Sequence, residues 1–213
     1  IEAAFEEVCG CDLILDGAGD GAALLARLQL EGPRTDADIV LGLDTNLTAA
    51  ARDTGLFAPH GVDVPLELPV PWADNDFLPF DWGYLAFVGN KDMDRAVSLR
   101  DLADGDLKIV IQDPRSSTPG LGLLMWVKKA YPDESAEIWA ALADNIVTVT
   151  PGWSEAYGLF LEGEADAVLS YTTSPAYHLI AEEDDSKVAW GFQEGHYLQV
   201  EVAGKLAGTD QPE

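Results

Sequence analysis

The stretch WGYLAFVGN, residues 82–90, decides how the chain is divided. It is an apolar run long enough for a strand that passes between two bodies, and the sequence on either side alternates strand-like runs with helical patterns. On the N-terminal side CDLIL (11–15) reads as a strand, GAALLARLQLEG (21–32) as a helix closed by Gly32, ADIVLGL (37–43) as a strand and NLTAAARDTG (46–55) as a helix. Residues 59–82, rich in Pro, Asp and Trp, read as loop. On the C-terminal side LKIVIQD (107–113), NIVTVT (145–150) and ADAVLS (165–170) read as strands, with helices at 119–130, 134–142, 153–161 and 175–182. HYLQVEVAG (196–204) is a second long run without clean alternation, as expected of a strand buried on both faces and returning between the bodies. Strands alternating with helices imply an α/β fold.

With 213 residues, 47% of them hydrophobic, the chain can hold one large domain or two small ones, each with a core. No apolar run reaches the roughly 18 to 20 residues that cross a bilayer, and the opening IEAAFEEV reads as an amphipathic helix. The 38 acidic residues against 12 basic give a formal charge of −26, which argues against nucleic acid as a partner, because phosphates are normally neutralised by Lys and Arg. The acid is spread along the whole chain and Lys is scarce, the pattern of a protein kept soluble in concentrated salt, so a halophilic source is expected. Attraction of a cationic ligand by this field comes second, since high salt screens it. The two cysteines, Cys9 and Cys11 in CGCD, form neither a zinc site nor a CxxC redox pair; free thiols and a local bridge both stay open. Asn46-Leu47-Thr48 has the spacing of a glycosylation acceptor, a triplet that also arises by chance.

Three strands end in a hydroxyl residue followed by Pro and then helical sequence: Thr118-Pro119, Thr150-Pro151 and Ser174-Pro175. Each hydroxyl is expected to cap its helix, with the Pro at the first helical position. The carboxyl ends of parallel strands in an open α/β sheet also share a crevice where ligands bind, and helix N-termini there favour anions. Asp113, Arg115 and Ser116 lie at the first junction, Trp153 opens the second helix, and Tyr171 and Tyr177 flank the third junction. Aromatic rings and hydroxyls at such ends suit a flat organic ligand, and the rings would also attract a cation. A nucleophilic enzyme built on Ser170, Ser174, His178 and Asp166 lacks a GxSxG elbow and an orienting partner for the His, so His178 reads as a packed or solvent-facing helical residue. No phosphate-binding glycine motif is present, and EEDDS (182–186) lacks the spacing of a calcium loop.

The segments ADIVLGLDTNL (37–47), LPFDWGYLAFV (78–88), QDPRSSTPGLGLLMW (112–126), TVTPGWSEAYGLFLEGEAD (148–166), VLSYTTSPAYH (168–178) and EGHYLQVEVA (194–203) together resemble the thiamine-binding proteins of bacterial ABC importers. The similarity runs over essentially the whole chain. It implies a type II periplasmic-binding-protein fold, two α/β lobes joined by two crossover strands: lobe one at 1–81, a crossover at 82–90, lobe two at 91–194, and the return crossover with the start of the rest of lobe one at 195–213. Members carry sequence before the point where this chain opens and beyond residue 213, so the resemblance implies a lobe one that is incomplete here. It implies ligand-binding roles for Asp20 and Gly21 at the start of the first lobe-one helix, Ser117 and Thr118, Trp153, the run Tyr171, Thr172, Thr173 and Ser174, and Tyr177. For Asp20, capping of its own helix is a compatible second role. The implied function is a non-catalytic, monomeric carrier, periplasmic or extracellular and with an anchor ahead of residue 1 as one option. It takes thiamine or its phosphates to an ABC permease without cofactor or metal. The same fold carrying ferric ion or a polyamine is the alternative, with a hydrolase behind it.

Overall fold

The computed structural model describes residues 2–211. Helix α1 (Glu2–Cys9) buries none of its residues, and a disulfide joins Cys9 to Cys11 directly after it, which decides between the two thiol states. Residues 11–15 are not the expected strand: they take no place in a sheet, and Ile14 and Leu15 are exposed. A strand persists only where a neighbour completes its hydrogen-bond ladder, and none of the sheet strands pairs with these residues: strand β1 (Ile39–Asp44), at one end of the strand order, pairs with the strand Leu198–Leu206. Between these segments α2 (Gly21–Glu31) ends as its sequence indicates, at Gly32 with φ 58° and an N–H bonded to the Leu28 carbonyl. A short 3-10 turn (Gly32–Arg34) leads on to β1, followed by α3 (Thr48–Asp53) and β2 (Phe57–Ala58).

Strand β3 (Phe77–Asn90) starts inside the segment read as loop and runs for 14 residues. The following elements are α4 (Leu99–Asp104), β4 (Ile109–Gln112), α5 (Thr118–Ala130), α6 (Ser135–Leu142), β5 (Ile146–Thr150), α7 (Trp153–Leu161), β6 (Ala167–Tyr171), α8 (Ser174–Ala181), β7 (Lys187–Ala189) and β8 (Leu198–Leu206). The strand order is β1-β8-β3-β6-β4-β5, with β2 paired to β8 and β7 to β3. Within β3 the partners change along the strand: Phe77–Tyr84 pair antiparallel with β8, Leu85–Gly89 pair antiparallel with β6, and Val88–Asn90 pair antiparallel with β7 as well. The chain entering β8 is held at the same point, where Leu85 N–H donates to the Tyr197 carbonyl at 2.9 Å. The molecule is therefore two α/β lobes joined through β3 and β8.

Side-chain alternation explains the apolar runs. Phe87, Ile109, Ile111 and Leu169 point to the face covered by α4, α5 and α6, where Leu102, Leu123, Trp126, Ile138 and Leu142 meet them. Val88, Val110 and Val168 point to the other face, against Ala156, Tyr157 and Phe160 of α7. Strands β4 and β6 are covered on both faces, so their sequences read as nearly unbroken apolar stretches, whereas β5 at the edge leaves Val147 and Val149 exposed. The smaller lobe packs Leu25 and Leu28 of α2 on Val40, Leu43, Phe77, Val200, Val202 and Leu206. In β8 the residues Val200, Val202, Gly204 and Leu206 are buried and those between are partly exposed, so this strand alternates rather than being buried on both faces.

Candidate functional site

The carboxyl ends of β4, β5 and β6 point toward the other lobe, and between them lies an open cleft of about 520 Å³. Eight of the ten residues expected there from the sequence line it: Asp20, Gly21, Thr118, Trp153, Tyr171, Thr173, Ser174 and Tyr177. Ser117 and Thr172 do not. Ser117 is fully buried beneath the wall, and Thr172 continues the β6 ladder, its N–H donating to the Tyr84 carbonyl at 2.9 Å, with its side chain exposed elsewhere.

None of the three junction hydroxyls caps its helix. The N-cap positions belong to Ser117, Gly152 and Thr173, none of which makes a side-chain cap bond; Pro119 and Pro175 stand one residue further into their helices than expected, and Pro151 stands before the N-cap of α7. Thr150 Oγ1 donates to the Gly152 carbonyl at 2.7 Å, and Ser174 Oγ bonds Ser170 Oγ at 2.7 Å. A carboxylate from the other lobe takes over the capping. Asp20 holds the N-cap position of α2 without capping it; instead its Oδ2 accepts from Trp153 N–H, the first helical N–H of α7, at 2.9 Å and from Ser117 Oγ. A negative group at that helix start is favourable both as an acceptor and through the helix dipole.

Gly21 lets this contact form. A Cβ there would stand 2.7 Å from Thr118 Oγ1 and 2.8 Å from the Gly42 carbonyl. Close by, Ala23 N–H donates to the Ser116 carbonyl at 3.2 Å, a second link between the lobes.

The aromatic residues are held by polar tethers. Trp153 Nε1 donates to the buried Ser170 Oγ at 2.9 Å, and its ring lies 5.0 Å from that of Tyr157 at an interplanar angle of 30°. Tyr171 rests over Gly83 of β3, and Tyr177 projects 64% exposed from the first turn of α8. Burial, followed by the charges of Glu201, Asp44, Asp20 and Asp81, pushes the Tyr171 phenol well above its ordinary range, so it stands as a neutral donor. Burial and the nearby Glu182 raise Tyr157 to about 12.

Several lining residues escape the sequence reading: Gly42, Pro119, Tyr157, His178 and Glu201. Of the two placements left open for His178, packed and solvent-facing, the structure shows the packed one, and its ring is also fully bonded, Nε2 to Tyr157 Oη at 2.9 Å and Nδ1 to Glu182 at 2.6 Å. His178, Glu182 and Asp184 have ligand atoms within 4.8 Å of one another and could hold a metal, though both His178 nitrogens already have protein partners. Glu201 gave one signal in sequence, an acid flanked by Val200 and Val202 in the middle of a strand. The carboxylates on the lining are Asp20 and Glu201, and among the described residues no Lys or Arg faces the cleft. Arg115, at the first junction, is engaged outside it with Asp113, whose carboxyl it draws down to about 2 through hydrogen bonds.

Comparison with known proteins gives four results. The family model described as bacterial extracellular solute-binding protein matches residues 1–213. The thiamine-binding periplasmic protein of Escherichia coli (strain K12) is 53% identical over 218 residues, covering 100% of this chain and 67% of the relative, so the chain spans about two thirds of that length. A solved structure described as a periplasmic thiamin binding protein superposes with a TM-score of 0.96 at 52% identity, over 100% of this chain and 68% of that one. A ferric binding protein from Campylobacter jejuni superposes with a TM-score of 0.76 at 19% identity over 99% of this chain and 72% of that one, a likeness of fold alone.

Proposed function

The chain belongs to the family of bacterial extracellular solute-binding proteins, with the type II periplasmic-binding-protein fold, and from that premise we propose that it captures thiamine and thiamine phosphates outside the cytoplasmic membrane and passes them to the permease of an ABC importer. The observation that carries the reading is the lining of the cleft: the rings of Trp153, Tyr171 and Tyr177 beside two carboxylates, without a basic side chain among the described residues. Thiamine joins a permanently cationic thiazolium to a flat aminopyrimidine and a hydroxyethyl arm. Rings hold both heterocycles, with roughly 0.5 to 2 kcal/mol for each ring that faces the cation. Thr118, Thr173 and Ser174 offer hydroxyls to the alcohol. The N-termini of α5 and α8 suit a phosphate; that of α7 is taken by Asp20. Ser117 serves through Asp20, and the two lobes close on the ligand at the β3 and β8 crossovers.

We read the protein as a monomeric carrier without catalytic chemistry, cofactor or metal. Supporting this, Ser174 Oγ is bonded to Ser170 and not to His178, whose nitrogens are committed to Tyr157 and Glu182, so no activated nucleophile is assembled. The acidic surface we read as an adaptation to concentrated salt.

Tryptophan fluorescence titrations with thiamine, its mono- and diphosphate, spermidine and ferric ion test the proposal. Saturable change with thiamine, at concentrations where spermidine and ferric ion have no effect, is the expected result. A saturable response to iron or spermidine alone would assign the cleft to another solute, and release of phosphate from the esters would make it an enzyme.

A further inference from the structure

Three carboxylates stand in one row across neighbouring strands. Asp44 of β1 is directly opposite Glu201 of β8, and Asp81 of β3 is opposite the same Glu201 from the other side. Directly opposed residues share a face of the sheet and lie close enough that like charges destabilise the pairing. Asp44 is fully buried; its Oδ1 accepts from Asn46 N–H at 2.7 Å and its Oδ2 has no partner. Glu201 is partly buried, lines the cleft, and accepts from Gln199 Nε2 at 2.8 Å. Asp81 is exposed and accepts from Trp82 N–H at 2.6 Å.

Every donor to this row is neutral, and none of the three acids joins an ion pair among the described residues. The row faces the cleft: Glu201 is on its lining, and Thr118 and Tyr171, also on the lining, adjoin Asp44 closely enough to interact with its carboxyl. Burial raises the Asp44 and Glu201 carboxyls, and for Glu201 the neighbouring Asp81, Asp44 and Asp20 add to the effect. Among the described residues no cation compensates the row. Asp20, the other carboxylate of the cleft, already serves Ser117 and the start of α7.

We propose that the Asp44–Glu201–Asp81 row is the counter-charge for a fixed positive charge on the ligand, and that Glu201 selects cationic heterocycles over neutral ones of the same shape. The inference rests on the thiamine reading above and assigns a separate task within it. A neutral ring in the cleft leaves Glu201 desolvated and unpaired, whereas a quaternary nitrogen supplies the missing partner in a site of low dielectric.

The test uses thiamine and 3-deazathiamine, a neutral isostere with carbon in place of the quaternary nitrogen, titrated by calorimetry into wild type, Glu201→Gln and Asp81→Asn. Wild type should bind thiamine more tightly by about tenfold or more. Glu201→Gln should shrink that ratio to about threefold or less, through loss of thiamine affinity with the neutral isostere little changed. Asp81→Asn, an exposed change that keeps the fold even if Glu201→Gln does not, should reduce the ratio by a smaller factor. Thiamine bound with the same ratio in every folded variant overturns the counter-charge and leaves the carrier reading standing. Failure of wild type to bind thiamine at all overturns both.

Discussion

Asp20 shows what a residue does when its partners are distant in sequence. It precedes a helix, where an Asp is ordinarily an N-cap, yet it bonds Ser117 and Trp153, which lie 97 and 133 residues away. Local spacing made Thr118, Thr150 and Ser174 candidate caps. It could not show that an acceptor from another lobe would occupy the helix start. For the same reason Glu201 went unread: an acid in a strand becomes meaningful only once β1 and β3 put Asp44 and Asp81 beside it. The aromatic residues were legible because ring-bearing strand ends are a local feature. Replacing Asp20 with Ala removes a cap and leaves the buried Ser117 hydroxyl without an acceptor, so we expect a loss of about 1 to 3 kcal/mol. Thermal unfolding should show this as a midpoint lowered by roughly 2 to 10 °C. Adding Ser117→Ala in that background should cost less than it does in wild type, because the hydroxyl has already lost its partner. Strictly additive losses would disconnect the two side chains.

At the scale of elements, the long periodic helices were legible. The helix read at 153–161 is α7 at Trp153–Leu161, and that at 21–32 is α2 at Gly21–Glu31. Helix α4 was missed because Leu99–Asp104 is too short for a period, although its start is marked: Ser98 Oγ accepts from Asp101 N–H at 2.9 Å and Asp101 accepts in turn from Val97 N–H at 2.9 Å. The opposite error, a strand expected at 11–15, came from apolar composition without a pairing partner. Packing between elements is close where α2 meets the start of α5. Gly21→Ala would press a methyl against the Gly42 carbonyl, 2.8 Å away, and against Leu47 Cδ1, 3.0 Å away. Backbone cannot yield as a side-chain end can, so α2 must move outward. The expected effect is a destabilisation of about 1 to 3 kcal/mol, as overpacking usually gives. Because the displaced helix carries Asp20, thiamine affinity should fall as well. Denaturant titration and calorimetry check the two effects, and a variant indistinguishable from wild type in both would mean that the close approach exerts no constraint.

For the whole molecule, the division into two lobes was legible from the long run at 82–90 together with the resemblance, whereas the partner switch inside β3 needed the structure. Charge was legible from composition alone, and its consequence for stability follows from a comparison of magnitudes. Exposed ion pairs such as Arg27–Asp16 at 2.6 Å and Lys91–Asp185 at 2.6 Å contribute little each and weaken in salt. Against them stands a net charge of −26 on one compact chain, whose repulsion is relieved by the same salt. Repulsion among the surplus acids is the larger effect, so salt should stabilise the fold. The Debye length falls from about 10 Å at 0.1 M to about 3 Å at 1 M, so most of the gain should come below about 1 M and then level off. We expect the melting midpoint to rise by about 10 °C or more between 0.1 M and 2 M KCl, and by a similar amount in NaCl, since screening depends on ionic strength rather than on the cation. A midpoint that is flat or falling with salt would remove self-repulsion as the dominant surface effect. Charges in the cleft are partly buried and screened far less than those on the surface. The preference for thiamine over its neutral isostere should therefore survive at salt concentrations that have already erased the long-range field.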